Sequence, residues 1–218
     1  MTWDWDYARR IFPDILDAFL RYTLVATVLA SLLAAVLGLV FAIIRRARVP
    51  VLAPLTTAFI EFVRSTPIPI QLFLLFYVLP QAGVRLSGLF VGVLTLGVHY
   101  ACYYAEVYRA GIDGVPKGQW EACTALSLRS RDQWRYVVLP QAIRNVLPAL
   151  GNYVISMFKE TPFLFLIAVP EMVQQAVAIG GRSFRYLEPV TIAGLIFLVA
   201  SYTSAVALRR LENRLGHA

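Results

Sequence analysis

Residues 22–44 read YTLVATVLASLLAAVLGLVFAII, twenty-three positions from Tyr22 to Ile44 without a single charge. Two further charge-free stretches of twenty follow, Leu86 to Ala105 and Pro189 to Leu208. A helix rises ~1.5 Å per residue, so about twenty apolar residues cross a hydrocarbon core. Lipid offers no partner to an unpaired backbone group, and no stretch alternates as a barrel strand does. Only 15% of the 218 residues are charged and 59% are apolar, against about 25% charged in an ordinary soluble domain. These features predict an all-α integral membrane protein.

Working outward from these runs, the sequence predicts five spans, near 20–44, 56–79, 86–106, 146–168 and 189–208, in a single domain covering 1–218. The first run is preceded by Trp3-Asp4-Trp5-Asp6. A cleaved leader starts on a basic stretch and has an apolar region of only ~7–15 residues, so this run is expected to stay as a helix. Cys102 and Cys123 match no disulfide framework or zinc spacing. His99 and His217 have no cluster of metal-ligating residues around them, and they read as a packed helix residue and a tail residue.

The net charge of +7 is explained by topology before nucleic acid need be invoked, because Arg and Lys collect on the cytoplasmic side. One set of connections holds Arg45, Arg46, Arg48, Arg109, Lys117, Arg129, Arg131, Arg135, Arg144, Arg209, Arg210 and Arg214. The other holds Arg9, Arg10, Arg85, Arg182 and Arg185. Twelve against five predicts an external N-terminus and a cytoplasmic C-terminus, which an odd number of spans allows. The polar stretch 109–144 is then cytoplasmic, and far longer than the ~2–8 residues that usually join packed helices.

Within it stand Gln119-Trp120-Glu121-Ala122-Cys123-Thr124-Ala125-Leu126-Ser127-Leu128 and, farther on, Leu139-Pro140. Glu121 to Leu126 favours a helix whose small residues allow close approach to a partner surface. Leu139-Pro140 is expected to end the stretch before the next span. The segment resembles the EAA loop of ABC importer permeases, with Glu121, Ala122, Cys123, Ser127, Leu139 and Pro140 at the motif positions. Cys123 stands where that family has a second Ala, and Ser127 where it has Gly. A turn needing positive φ suits Ser less well than Gly. Arg64-Ser65-Thr66-Pro67 with Gln71, Tyr104 to Ile112, Lys159-Glu160-Thr161 and Val169-Pro170-Glu171 resemble, in order, segments of the polar amino acid permease family.

That resemblance implies a type I ABC importer transmembrane domain in a bacterial plasma (inner) membrane. It implies a coupling helix seated on an ABC ATPase subunit dimer, a second permease subunit, identical or related, and an extracytoplasmic solute-binding protein. Transport would follow alternating access, with ATP bound by the partner. The chain carries no Gly-x-x-x-x-Gly-Lys-Ser/Thr loop that would hold a nucleotide. A compact zwitterion of the ectoine or hydroxyectoine kind would present charges like those of a polar amino acid. A gradient-driven secondary transporter is the rival from another class. A membrane enzyme would have only Cys102 with His99, and no third group to orient them.

Ionisable groups inside a membrane cost ~2.5–3.5 kcal/mol on insertion scales and so face protein or water. Glu61 and Arg64 are three apart and can pair on one helix face. Pro67 and Pro69 then interrupt the helix and free carbonyls. Two readings stand: Arg64 and Thr66 line a solute path, or the pair sits at the membrane interface. Lys159 and Glu160 interrupt the fourth apolar stretch near its middle and point ~100° apart. With Thr161 they form a candidate solute path or gate, the alternative being a buried pair between subunits. Glu171 to Ala178, followed by Gly180-Gly181, reads as a short surface helix and a turn.

Overall fold

A computed structural model describes residues 2–216 of the chain; the sequence reading of His217 lies outside them. All regular secondary structure among the described residues is helical, without strands. Three helices are long and apolar enough to cross a membrane, and two bent helix pairs bring the number to five.

The first helix begins well before the charge-free run. Asp4 caps it by accepting from the amides of Asp6 and Tyr7. Helix α1 (Trp5–Ala18) then passes through a wide π turn (Phe19–Thr23) into α2 (Leu24–Arg46). The continuous 42-residue rod is ~60 Å long, about twice the hydrocarbon thickness. Charges at Asp6, Arg9, Arg10, Asp14 and Asp17 conceal α1 from a search for apolar runs. Its apolar positions Ala8, Ile11, Ile15 and Ala18 nevertheless recur at helical spacing, and they are buried.

The core is built where α2 meets α5 (Gly88–Asp113). Ala26, Ala30, Ala34, Gly38 and Ala42 recur every four residues and are all buried. Such a stripe of small side chains lets two backbones approach in lipid, where packing rather than hydrophobic expulsion joins helices. At Gly38 a Cβ atom would lie 2.6 Å from Tyr104 Cβ and 2.9 Å from the Ala101 carbonyl oxygen. At one end of this pair Arg45 bonds Glu106, Arg109 holds Glu106 and Asp113, and Arg46 reaches Asp113 at 3.2 Å.

The expected span 56–79 is broken. Helix α3 (Leu52–Arg64) ends at Ser65, and α4 (Ile68–Phe73) resumes beyond Pro67, turned by 104° with its continuation to Ala82. The reason is local: Val63 and Ser65 would offer their carbonyls to the amides of residues 67 and 69, and both are proline.

The 109–144 stretch is mostly helix rather than loop. Helix α5 runs on to Asp113, and α6 (Lys117–Ala125) follows. A single turn α7 (Ser130–Asp132) leads through a π turn (Gln133–Val138) into α8 (Leu139–Glu160). Leu139-Pro140 therefore ends nothing. Pro140 stands in the first turn of α8, just after the wide turn, where a missing amide and a bulky ring are tolerated. Lys159 and Glu160 close α8 rather than sitting at mid-helix. A 3₁₀ segment (Thr161–Ile167) follows, then α9 (Met172–Ser183), bent by 49° from the helix before it.

Gly180-Gly181 is not a turn but part of α9, which ends at Phe184 with φ +54°. Tyr186 packs against Gly180, and Met172, Ala176 and Ile179 are buried against α1 and α10 (Leu187–Gly216). The helix is thus half interior, not a surface addition.

Candidate functional site

The candidate coupling segment takes its shape from α6. Its carboxyl end is a Schellman cap: the Leu128 amide donates to the Cys123 carbonyl and the Ser127 amide to that of Thr124, each at 3.0 Å. That cap needs a left-handed residue, and Ser127 occupies it at φ +51°. Cys123 is buried, packing inward, while Glu121, Ala122, Ala125 and Ser127 are exposed. Leu126 is 73% exposed, an apolar side chain in solvent at the tip of a short helix. Trp120 stacks edge-on against Trp134 with ring centroids 5.7 Å apart, and the Arg46 guanidinium lies 5.3 Å from the Trp134 ring. The segment is thereby anchored to α2. Leu139 and Pro140 belong to the base of α8 and are likewise exposed.

The second constellation surrounds the α3–α4 break. Arg64 lies 3.7 Å from Glu61 and 5.0 Å from the ring of Tyr103 on α5. Tyr100, one turn earlier, donates its hydroxyl to Glu160 at 2.8 Å. Tyr100, Tyr103 and Tyr153 stack within 5.5–6.1 Å of one another. A cation and an anion from distant parts of the chain thus meet neighbouring members of one aromatic cluster.

Lys159 and Glu160 do diverge as adjacent helix positions must. Glu160 turns to α5, whereas Lys159 lines a cleft of about 590 Å³ against α10, with Phe197, Ser201 and Tyr202. Lys159 has no ion pair among the described residues. Thr66 spends its hydroxyl on the carbonyls of Val63 and Phe62. Thr161 is fully buried and donates to the Phe158 carbonyl. Both threonines therefore spend their hydroxyl protons on backbone carbonyls.

Sequence reading missed the tyrosines and the tie between Trp120, Trp134 and Arg46. The charges beside the breaks were legible in one dimension, but which aromatic faces they meet depends on how α5 and α8 cross.

Comparison with known proteins follows the same architecture. Residues 11–217 match the family described as binding-protein-dependent transport system inner membrane component. A probable amino-acid ABC transporter permease protein of Sinorhizobium fredii is 39% identical, over 98% of this chain and 94% of the relative. The glutamine transport system permease protein of Escherichia coli is 31% identical over 99% of both chains. A solved amino acid ABC transporter, crystallised with histidines, superposes with a TM-score of 0.92 at 34% identity, covering 98% of this chain and 100% of that one.

Proposed function

The chain belongs to the binding-protein-dependent transport system inner membrane component family, and on that premise we propose that it takes up a polar amino acid as the permease subunit of an ATP-driven importer. The observation that carries the reading is α6, a capped helix exposing Glu121, Ala122 and Leu126 and tied at its base to α2. A helix of nine residues cannot stand alone in water. Its exposed small and apolar face is suited to a groove on an ATPase subunit, one per permease, with two permeases side by side.

The excess of twelve basic residues on one set of connections supports α6 and the C-terminus in the cytoplasm and the N-terminus outside, in a bacterial plasma membrane, where an extracytoplasmic binding protein would deliver the solute. Hydrolysis belongs to the ATPase partner. Arg64 on Tyr103 and Glu160 on Tyr100 offer a cation and an anion suited to the carboxylate and ammonium groups of a zwitterion. Lys159 lies along the neighbouring cleft, and Thr66 and Thr161 hold the backbone of the walls. The named relatives are amino-acid systems, which favours that class over an ectoine-like solute.

The test is gentle co-purification from the native membrane with and without Glu121→Lys. The expected outcome is an ATPase subunit bound to the wild type and lost from E121K. An intact chain that carries no ATPase would overturn the assignment of α6.

A further inference from the structure

The α3–α4 break is fastened by one side chain. The Gln71 amide nitrogen lies 2.8 Å from the Val63 carbonyl and 3.0 Å from that of Thr66. It also lies 2.8 Å from Thr66 Oγ1 and 3.2 Å from His99 Nδ1. The need for such a donor follows from sequence: the residue that would serve Val63 in a continuing helix is Pro67, which has no amide proton. The Thr66 hydroxyl gives its own proton to α3 carbonyls, so it meets Gln71 as an acceptor. Four acceptors thus converge on a group with two protons.

One of those acceptors belongs to another helix. His99 on α5 is 8% exposed and packs edge-on or tilted against Tyr100 and Tyr103, at 5.7 and 5.4 Å. With Nδ1 accepting, its proton resides on Nε2. Gln71 therefore joins the end of α3, the start of α4 and the tyrosine-bearing face of α5.

We propose that Gln71 and His99 are positioning residues: together they fix the angle of the break against α5 and hold Arg64 over Tyr103. The proposal rests on the reading of Arg64 as a solute-path residue. Without the Gln71 protons the Val63 carbonyl keeps only the Thr66 amide at 3.3 Å and hydroxyl at 3.0 Å, both on its own side of the break, and nothing ties the end of α3 to α4 and to His99, while straightening the helix would bring that carbonyl only to a proline. The break would then relax by swinging α3, carrying Arg64 from the ring.

The test uses the complete transporter, with its ATPase and binding protein, reconstituted in vesicles and offered a panel of tritiated L-amino acids. In Gln71→Leu and His99→Leu, uptake is expected to fall about tenfold, the effect of losing one to two hydrogen bonds, while ATP hydrolysis stays within about twofold of wild type. His99→Asn should restore uptake, since an amide oxygen can take the place of Nδ1. A merely structural role would lower uptake and hydrolysis together and would not be rescued.

Independently, in a Cys102→Ala, Cys123→Ala background, Arg64→Cys is labelled with a charged methanethiosulfonate. Its labelling rate should change in Q71L and H99L and not in H99N. Unchanged labelling in Q71L, or H99N as impaired as H99L, overturns the proposal. If labelling responds as expected but Arg64→Gln transports normally, the fastening stands and the solute-path reading fails.

Discussion

Two interruptions of membrane helices, at 65–67 and at 161–171, solve the same backbone problem by opposite means. The first is open and charged. Arg64 and Glu61 stand beside it, two prolines remove its amides, and a glutamine from beyond the break supplies the missing protons. The second is closed. Thr161 and Glu171 are fully buried. Glu171 caps α9 by accepting from Val173 at 2.9 Å and Gln174 at 2.6 Å, and Thr23 of the first helix accepts from the Met172 amide at 3.2 Å. The two are linked, because Tyr77 beyond the first break donates to the Leu166 carbonyl within the second.

The difference teaches where a membrane protein keeps spare polar capacity. Backbone groups freed in lipid must be satisfied at once, and at the second break buried side chains, Glu171 and Thr23, take up freed amides. The first leaves charged groups partly exposed beside aromatic rings, the feature on which the proposed solute path rests.

The sharpest way to break this contrast is to neutralise both sides of the open site. Arg64→Gln and Glu160→Gln should each lower uptake by about thirtyfold or more, the scale of a lost charged hydrogen bond, with the folded chain preserved. Reconstituted uptake and thermal unfolding in detergent, measured side by side, separate the two effects. An E160Q chain that transports normally would remove Glu160 from the path.

The closed break should show the reverse pattern. Glu171→Ala strips two partly buried amides of their acceptor and should cost about 2 kcal/mol, seen as a lower unfolding temperature. Glu171→Gln, keeping an acceptor oxygen, should lose less. If E171A is as stable as wild type while uptake collapses, the second break is functional after all and the comparison fails.

A smaller effect is expected at Thr23→Val, where only the Met172 amide loses its acceptor, at about 1 kcal/mol. Proteolytic susceptibility of the α8–α9 connection reports it. The smallest change tests a third irregular point with neither prolines nor buried charge. Ser127→Gly should relieve the left-handed strain at the α6 cap, partly offset by the greater freedom of glycine in the unfolded chain, and raise stability by about 0.5 kcal/mol, leaving co-purification with an ATPase unaltered. A destabilised S127G would mean that the serine hydroxyl matters more than its backbone.

Much of this molecule was readable in one dimension. Runs without charge announce helices because lipid penalises anything else. Gly-like demand at position 127 was foreseeable from the motif, and the serine indeed adopts positive φ. Pro67 and Pro69 announced the first break. Helix α1 escaped notice because its charges interrupt the apolar run although its period is intact. Within 109–144 the helix expected over Glu121 to Leu126 is present as part of α6, but the start of α8 was hidden behind Pro140, which a wide turn accommodates. Burial of Glu171 and Thr161 was likewise invisible, since a polar letter beside a proline looks the same in a surface turn and in a sealed one.

By itself, then, the sequence determined the solvent of this protein, its helical class, the direction of its charge bias and the sites where helices must break. Those follow from the cost of unpaired backbone and unpaired charge in hydrocarbon, which each residue carries wherever it lies. Tertiary structure alone decided which acceptor Gln71 reaches, which ring Arg64 faces and that Glu160 meets Tyr100. Such pairings depend on the crossing of α5 with α3, α4 and α8, and hence on small-residue packing between helices far apart in the chain.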